Sequence, residues 1–137
     1  MRSLGLDIGG RRTGVAISDP RGIVAVPLTV IDNNDENATI GDILDFVQQY
    51  EVERIVVGLP YSLNGNLGPQ AKMVQAFADK LSQRAGVEIQ MWDERLSTAS
   101  AEKLMMQAGT KENKRRQYRD AVAAGLILQG FLDSLGH

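Results

Sequence analysis

Asp7 lies in the alternating run 3–8, where Leu4, Leu6 and Ile8 take one side and Ser3, Gly5 and Asp7 the other. A carboxylate inside a strand is uncomfortable unless it is paired, hydrogen-bonded or metal-bound. Two readings are open from the strand alone: an Asp accepting backbone hydrogen bonds from the Gly9-Gly10 turn, or an active-site ligand. The glycines add weight to the second, because they let a phosphate or ligand approach the backbone closely. Asp93 and Glu94 end another β-rich run, and Arg95 follows them. Side chains alternate across a strand, so these adjacent acids cannot both address one metal while the strand stays regular. Solvation of both is the usual fate of such a pair. Asp120 is read as opening the last helix, where an Asp stabilises the dipole by a few tenths to ~1 kcal/mol. Yet Asp120, Ala123, Ala124 and Ile127 fall on one small, apolar face, which turns Asp120 toward the sheet.

Three acids on three separate elements suit Mg²⁺ or Mn²⁺, which prefer oxygen ligands and bind scissile phosphates at the same time. Two such ions would activate a water and stabilise the leaving oxygen in phosphodiester hydrolysis. The rest of the composition points away from other chemistries. There is no cysteine, which excludes disulfides, thiolate zinc sites and cysteine nucleophiles, and the single histidine is His137, the last residue. Acid–base work then falls to carboxylates, Lys, Tyr or a metal-bound water. The net charge of −2 gives no general attraction for nucleic acid, but Lys111, Lys114, Arg115, Arg116 and Arg119 are concentrated in one stretch. Taken alone, that stretch reads as a solvated charged loop. No apolar run is long enough to span a bilayer, and MRSLGLDIGG reads as a strand, so a cytoplasmic protein is expected.

The elements that must position these residues follow from periodicity. After the first strand, residues 14–18 and 23–31 give two more, joined by the turn Asp19-Pro20-Arg21-Gly22. Ile40, Ile43, Leu44 and Val47 take helical spacing, with Thr39 and Asp42 as a weak capping box. The run 55–59 is apolar throughout, as in a strand buried on both faces. Pro69 suits the first turn of a helix with Val74, Phe77, Ala78 and Leu81 on its buried stripe. Residues 87–92 form a fifth strand, Ser97 and Thr98 cap a helix over 99–107, and a last helix buries Ala121, Ala124, Gly125, Leu128, Phe131, Leu132 and Leu135. The order is βββαβαβ and then helices. No repeat or composition shift divides residues 1–137, so a single domain is expected.

Leu6-Asp7-Ile8-Gly9 with Arg12-Thr13-Gly14-Val15-Ala16, Val57-Gly58-Leu59-Pro60, Asp93-Glu94-Arg95-Leu96-Ser97-Thr98 and Asp120-Ala121-Val122-Ala123-Ala124 resemble the YqgF/RuvX family from about residue 4 to the last helix. That family comprises pre-16S rRNA nucleases, also described as Holliday-junction-resolvase-like proteins. The resemblance implies an α/β, RNase H-like fold: a five-stranded mixed sheet with helices on both faces. It also implies a carboxylate triad, with Asp7 as the first-strand acid, Glu94 rather than Asp93 as the fifth-strand acid, and Asp120 as the last-helix acid. Gly58 gives a physical reason for the choice of Glu94, because a residue without a side chain on the intervening strand would let it reach across. All three acids are then both catalytic and metal-binding. The basic stretch, now placed directly before Asp120, is expected to grip phosphates beside the cut. Arg12 and Arg95 touch phosphate or orient carboxylates, and Tyr118 either stacks on an unpaired base or packs, the commoner case.

Three rivals are weighed against this expectation. A sugar kinase or actin-like ATPase shares the Leu6-Asp7-Ile8-Gly9-Gly10 segment but needs two such domains, far more than 137 residues. A non-catalytic nucleic-acid-binding module is disfavoured by the intact acids. Among nucleases, the resemblance favours processing of the 5′ end of precursor 16S rRNA, with a Holliday junction resolvase acting on branched DNA as the alternative. A resolvase cuts two strands symmetrically and would act as a two-fold homodimer, though no dimer face is legible.

Overall fold

A computed structural model of the chain describes residues 1–60, 65, 67–94 and 112–136, with the backbone alone described for 112–117. The sequence elements appear in the expected order: β1 (Ser3–Ile8), β2 (Arg12–Ser18), β3 (Ala25–Asp32), α1 (Glu36–Gln49), β4 (Arg54–Leu59), α2 (Pro69–Ala85), β5 (Glu88–Asp93) and α3 (Glu112–Ser134). The expected helix over 99–107, its Ser97 and Thr98 cap, Arg95 and Lys111 lie outside the described residues.

The five strands form one sheet in the order β3-β2-β1-β4-β5. β3, β2 and β1 are antiparallel, whereas β1, β4 and β5 run parallel. The short turns on either side of β2 permit the antiparallel meander, and helical crossovers are what parallel neighbours require. β1 is therefore central. Its polar side chains must find partners inside the protein, because neither of its edges reaches solvent.

Alternation divides the residues of the sheet between two faces. Leu4, Leu6, Val15, Ile55 and Val57 meet Ile40 and Ile43 of α1 and Val74 and Leu81 of α2 in one aliphatic core. The other face places Ala16 and Val56 against Ala124, Ile127, Leu128 and Leu132 of α3. Ile55, Val56 and Val57 are all fully buried, as the uninterrupted apolar run predicts.

Three boundaries differ from expectation. α1 begins a turn earlier than the Thr39 capping box implies, because Asp35 is the N-cap and its carboxylate accepts from Ala38 N at 3.2 Å. Thr39 is instead buried within the helix and donates to Asp35 O at 3.1 Å. The last helix begins at Glu112, so Asp120 sits two turns inside it and does not interact with an N-terminal dipole. The basic residues 114–116 and 119 are accordingly helical, not part of a loop. Leu135 lies beyond the helix end and is exposed, leaving the buried stripe to end at Leu132.

Candidate active site

β1 delivers Asp7 to the α3 face, opposite Gly14 of β2. On β5, Trp92 shares that face and is paired with Gly58 of β4, while Asp93 is paired with Leu59, whose side chain enters the aliphatic core. Alternation thus aims Glu94 toward Asp7 and Asp93 away from it. A Cβ added at Gly58 would collide with Glu94 Oε2 and Ile127 Cδ1. The space over Gly58 is the passage by which Glu94 crosses β4. Glu94 thus lies over Gly58, where a side chain would obstruct it.

α3 supplies the third acid by an equally close approach. A Cβ at Gly14 would run into the Asp120 carbonyl, and one at Gly5 would lie 2.7 Å from Leu128 Cβ and 2.9 Å from the Ala124 carbonyl. The helix backbone rests almost directly on β1 and β2. Asp120 is held there by Arg12, whose Nε lies 2.8 Å from Oδ2. That ion pair does not have hydrogen-bond alignment, and Asp120 Oδ2 is a buried oxygen with no hydrogen-bond partner.

The electrostatics report how near these acids are. Burial pushes the Asp7 carboxyl up to about 6; a hydrogen bond with Glu94 opposes the rise and the charge of Asp120 adds to it. Burial also pushes Glu94 up to about 8, followed by the charge of Asp7, their mutual hydrogen bond and the charge of Asp93. The directions assign the proton to Glu94, which donates to an ionised Asp7. Two carboxylates in contact cannot both ionise cheaply without a positive charge between them.

Among the described residues, no three acid or imidazole side chains already converge as a cation cage. Asp7 and Glu94 are in contact, and Asp120 is a charged neighbour turned onto Arg12. The donor set nonetheless fits a hard divalent cation. It consists of carboxylates only and includes a buried oxygen lacking a hydrogen-bond partner.

Asn33 was not singled out in the sequence, yet it fixes the turn next to Asp7. Its Nδ2 donates to Gly9 O at 2.8 Å, its Oδ1 accepts from Thr13 Oγ1 at 2.9 Å, and its backbone N donates to Arg11 O at 2.7 Å. Gly9 N also donates to Arg12 O at 2.8 Å, closing the turn that carries Arg12 toward Asp120. Only the Asn-Asp-type loop after the third strand hints at such a clamp. Of the basic residues, Arg119 is exposed on α3, and nothing is described of the side chains of Lys114, Arg115 and Arg116.

The five-stranded mixed sheet with helices on both faces is an RNase H-like fold, with acids on its first strand, beyond its fifth strand and on its last helix. Solved structures share the fold. The chain superposes on RuvC of T. thermophilus, solved in complex with a Holliday junction substrate, with a TM-score of 0.64 at 17% identity, covering 99% of this chain and 96% of that one. Fowlpox virus resolvase, solved with Holliday junction DNA, gives a TM-score of 0.63 at 11% identity over 100% of both chains. Residues 1–134 match the family described as RuvX, Holliday junction resolvase, and the chain belongs to that family. It is 47% identical over 135 residues to a Clostridium botulinum protein named "Putative pre-16S rRNA nuclease", covering 98% of each chain. A Bacillus thuringiensis protein of the same name is 48% identical over 136 residues, covering 98% of this chain and 99% of that one.

Proposed function

We propose that this protein is a divalent-metal-dependent endonuclease that hydrolyses a phosphodiester bond in the 5′ region of precursor 16S rRNA. The observation that carries this reading is the contact of Asp7 with Glu94, with Asp120 of α3 a charged neighbour on the same sheet face. The substrate follows from the name shared by relatives nearly half identical over almost the full chain.

Asp7, Glu94 and Asp120 would hold Mg²⁺ or Mn²⁺, and such an ion, or a pair of them, supplies an acidified water and positive charge for the phosphate oxygens. Glu94 would then release to solvent the proton it donates to Asp7, leaving both carboxylates ionised to hold the cation. Arg12 lies against Asp120 and limits its rotation, and the carboxylate would turn partly from the guanidinium to face Asp7. A phosphate can approach Gly10 without obstruction, since even an added Cβ would meet nothing there. Arg95, Lys111, Lys114, Arg115, Arg116 and Arg119 are proposed to hold the phosphates around the cut. Among the described residues no helix is long and apolar enough to cross a membrane, and precursor rRNA places the proposed reaction in the cytoplasm.

The family description supports a second reading, resolution of four-way DNA junctions by a two-fold homodimer. A side-by-side cleavage assay on precursor rRNA and on a four-way junction, with Mg²⁺, Mn²⁺ or EDTA, separates the two. We expect metal-dependent cleavage of the RNA and its loss in Asp7→Asn with the fold retained. Normal cleavage by Asp7→Asn would refute the acid site, while preferential cutting of the junction would transfer the activity to branched DNA.

A further inference from the structure

A groove of about 320 Å³ runs between the edge strand β3 and α3, lined by Ala25, Pro27, Tyr118, Val122, Gly125 and Gln129 among others. Positions 118, 122, 125 and 129 form one helical stripe, turned away from the Asp120 side that meets Gly14. Tyr118 is 43% exposed, so its ring forms a wall of the groove and does not fill the core. This settles the packing alternative left open by the sequence.

The floor is equally informative. Glycines 5, 14 and 58 are demanded by close packing, but a Cβ at Gly125 would meet Pro27 N at 3.8 Å and Ala16 Cβ at 3.9 Å, ordinary contacts. Packing does not require glycine at 125, and its missing side chain deepens the groove. Gln129 is the polar residue on the wall, and its amide is already engaged. Oε1 accepts from Ala25 N at 2.9 Å and Nε2 donates to Ile23 O at 2.9 Å. What remains open to a ligand is a flat aromatic and aliphatic slot with little capacity to read hydrogen-bonding edges.

Charge selects the occupant. The stretch 111–119 that leads into Tyr118 contains five basic residues and one acid, which attracts a polyanion. A second copy of the chain docked through this face about a two-fold axis would bring the same cluster against itself. A helix with its side chains is about 10 Å across, so the groove and the acid site flank a single helix. One nucleic-acid strand passing over the start of α3 can address both.

We propose that this groove is a stacking subsite for an unpaired base of the substrate, a few nucleotides from the scissile phosphate. Tyr118 supplies the ring face, Val122 extends the same helical wall, Pro27 gives the opposing apolar surface, and base identity is not discriminated. The proposal rests on the nuclease reading above.

The test is binding of a single-stranded RNA carrying 2-aminopurine, followed by anisotropy and base fluorescence in EDTA, with a fully paired duplex of the same sequence as control. Tyr118→Ala should weaken single-strand binding about ten-fold, remove the fluorescence quenching and leave duplex binding and the salt slope unchanged. Tyr118→Phe should bind like the wild type, and Gly125→Leu, which fills the slot, should bind like Tyr118→Ala. Thermal unfolding of each variant checks that the fold is intact. Unchanged binding by Tyr118→Ala overturns the subsite, as does an equal loss in Tyr118→Phe, which would implicate the hydroxyl. Conversion of a dimer to a monomer by Tyr118→Ala in sedimentation would make the groove a self-interface and also overturn it. A wild-type chain that binds neither RNA nor junction DNA overturns the nuclease reading together with the subsite. Wild-type binding with an unresponsive Tyr118 overturns the subsite alone.

Discussion

The two faces of the sheet are built to different rules. Toward α1 and α2, the strands present Leu4, Leu6, Val15, Ile55 and Val57, large side chains that fill a thick aliphatic layer. Toward α3, the same strands present Gly5, Gly14, Ala16 and Gly58, and the helix answers with Ala121 and Ala124. Large residues keep a helix at ordinary packing distance, whereas small ones let two backbones nearly touch. The first arrangement buries apolar area. The second sacrifices some of that area and leaves the Asp7–Glu94 pair near Asp120, which Arg12 engages as counter-ion. Stability and chemistry are thereby separated by a single layer of β-strands.

That contrast predicts which substitutions uncouple the two properties. Leu81 is fully buried on the aliphatic side, and Leu81→Ala should cost about 2–5 kcal/mol in urea unfolding. Cleavage per folded molecule should stay near the wild-type value. If activity falls in step with cavity formation, the faces are not independent.

Gly14→Ala makes the opposite trade. The new methyl meets the Asp120 carbonyl, a backbone atom that cannot rotate away, so α3 must shift. We expect a smaller loss, about 1–3 kcal/mol, accompanied by a much weaker response of cleavage to Mg²⁺. Preserved metal dependence in this variant would show that close approach of α3 is not what assembles the site.

The smallest effect is carried by pH. Asp7 rises from 3.8 to about 6 and Glu94 from 4.5 to about 8, so the folded chain retains protons that the unfolded chain has already released. The contribution of this pair to stability is therefore fully present below the unfolded values and is lost as pH rises through the folded ones. In EDTA, unfolding free energy should drop between pH 5 and pH 8, and Asp7→Asn should flatten the decline. Mn²⁺ should shrink it as well, because a cation replaces the shared proton. A pH-independent midpoint, with or without metal, would mean that the acids are not in contact in solution.

Much of this arrangement was legible in the chain itself. Alternation in 3–8 assigned Asp7 to the face opposite Leu4, Leu6 and Ile8, and the apolar run 55–59 marked a strand covered on both sides. Those signals are local and periodic, so they survive without knowledge of neighbours. The start of α3 was not legible: the polar, basic stretch before Asp120 has no apolar stripe, and helical spacing alone placed the boundary at the acid. Asn33 escaped notice because its partners, Gly9 and Thr13, lie 24 and 20 residues away. The Arg12–Asp120 pair spans nearly the whole chain.

The sequence by itself therefore determined which acids exist, which strand face Asp7 takes and the absence of any internal histidine or cysteine to share the work. Only the tertiary structure decided that Asn33 clamps the turn beside Asp7, that Arg12 holds Asp120, and that Tyr118 stands over an open groove. The reason is physical. Periodicity fixes the direction of a side chain relative to its own element, but contact depends on how closely two elements approach, and here that distance is set by glycines on strands far apart in sequence.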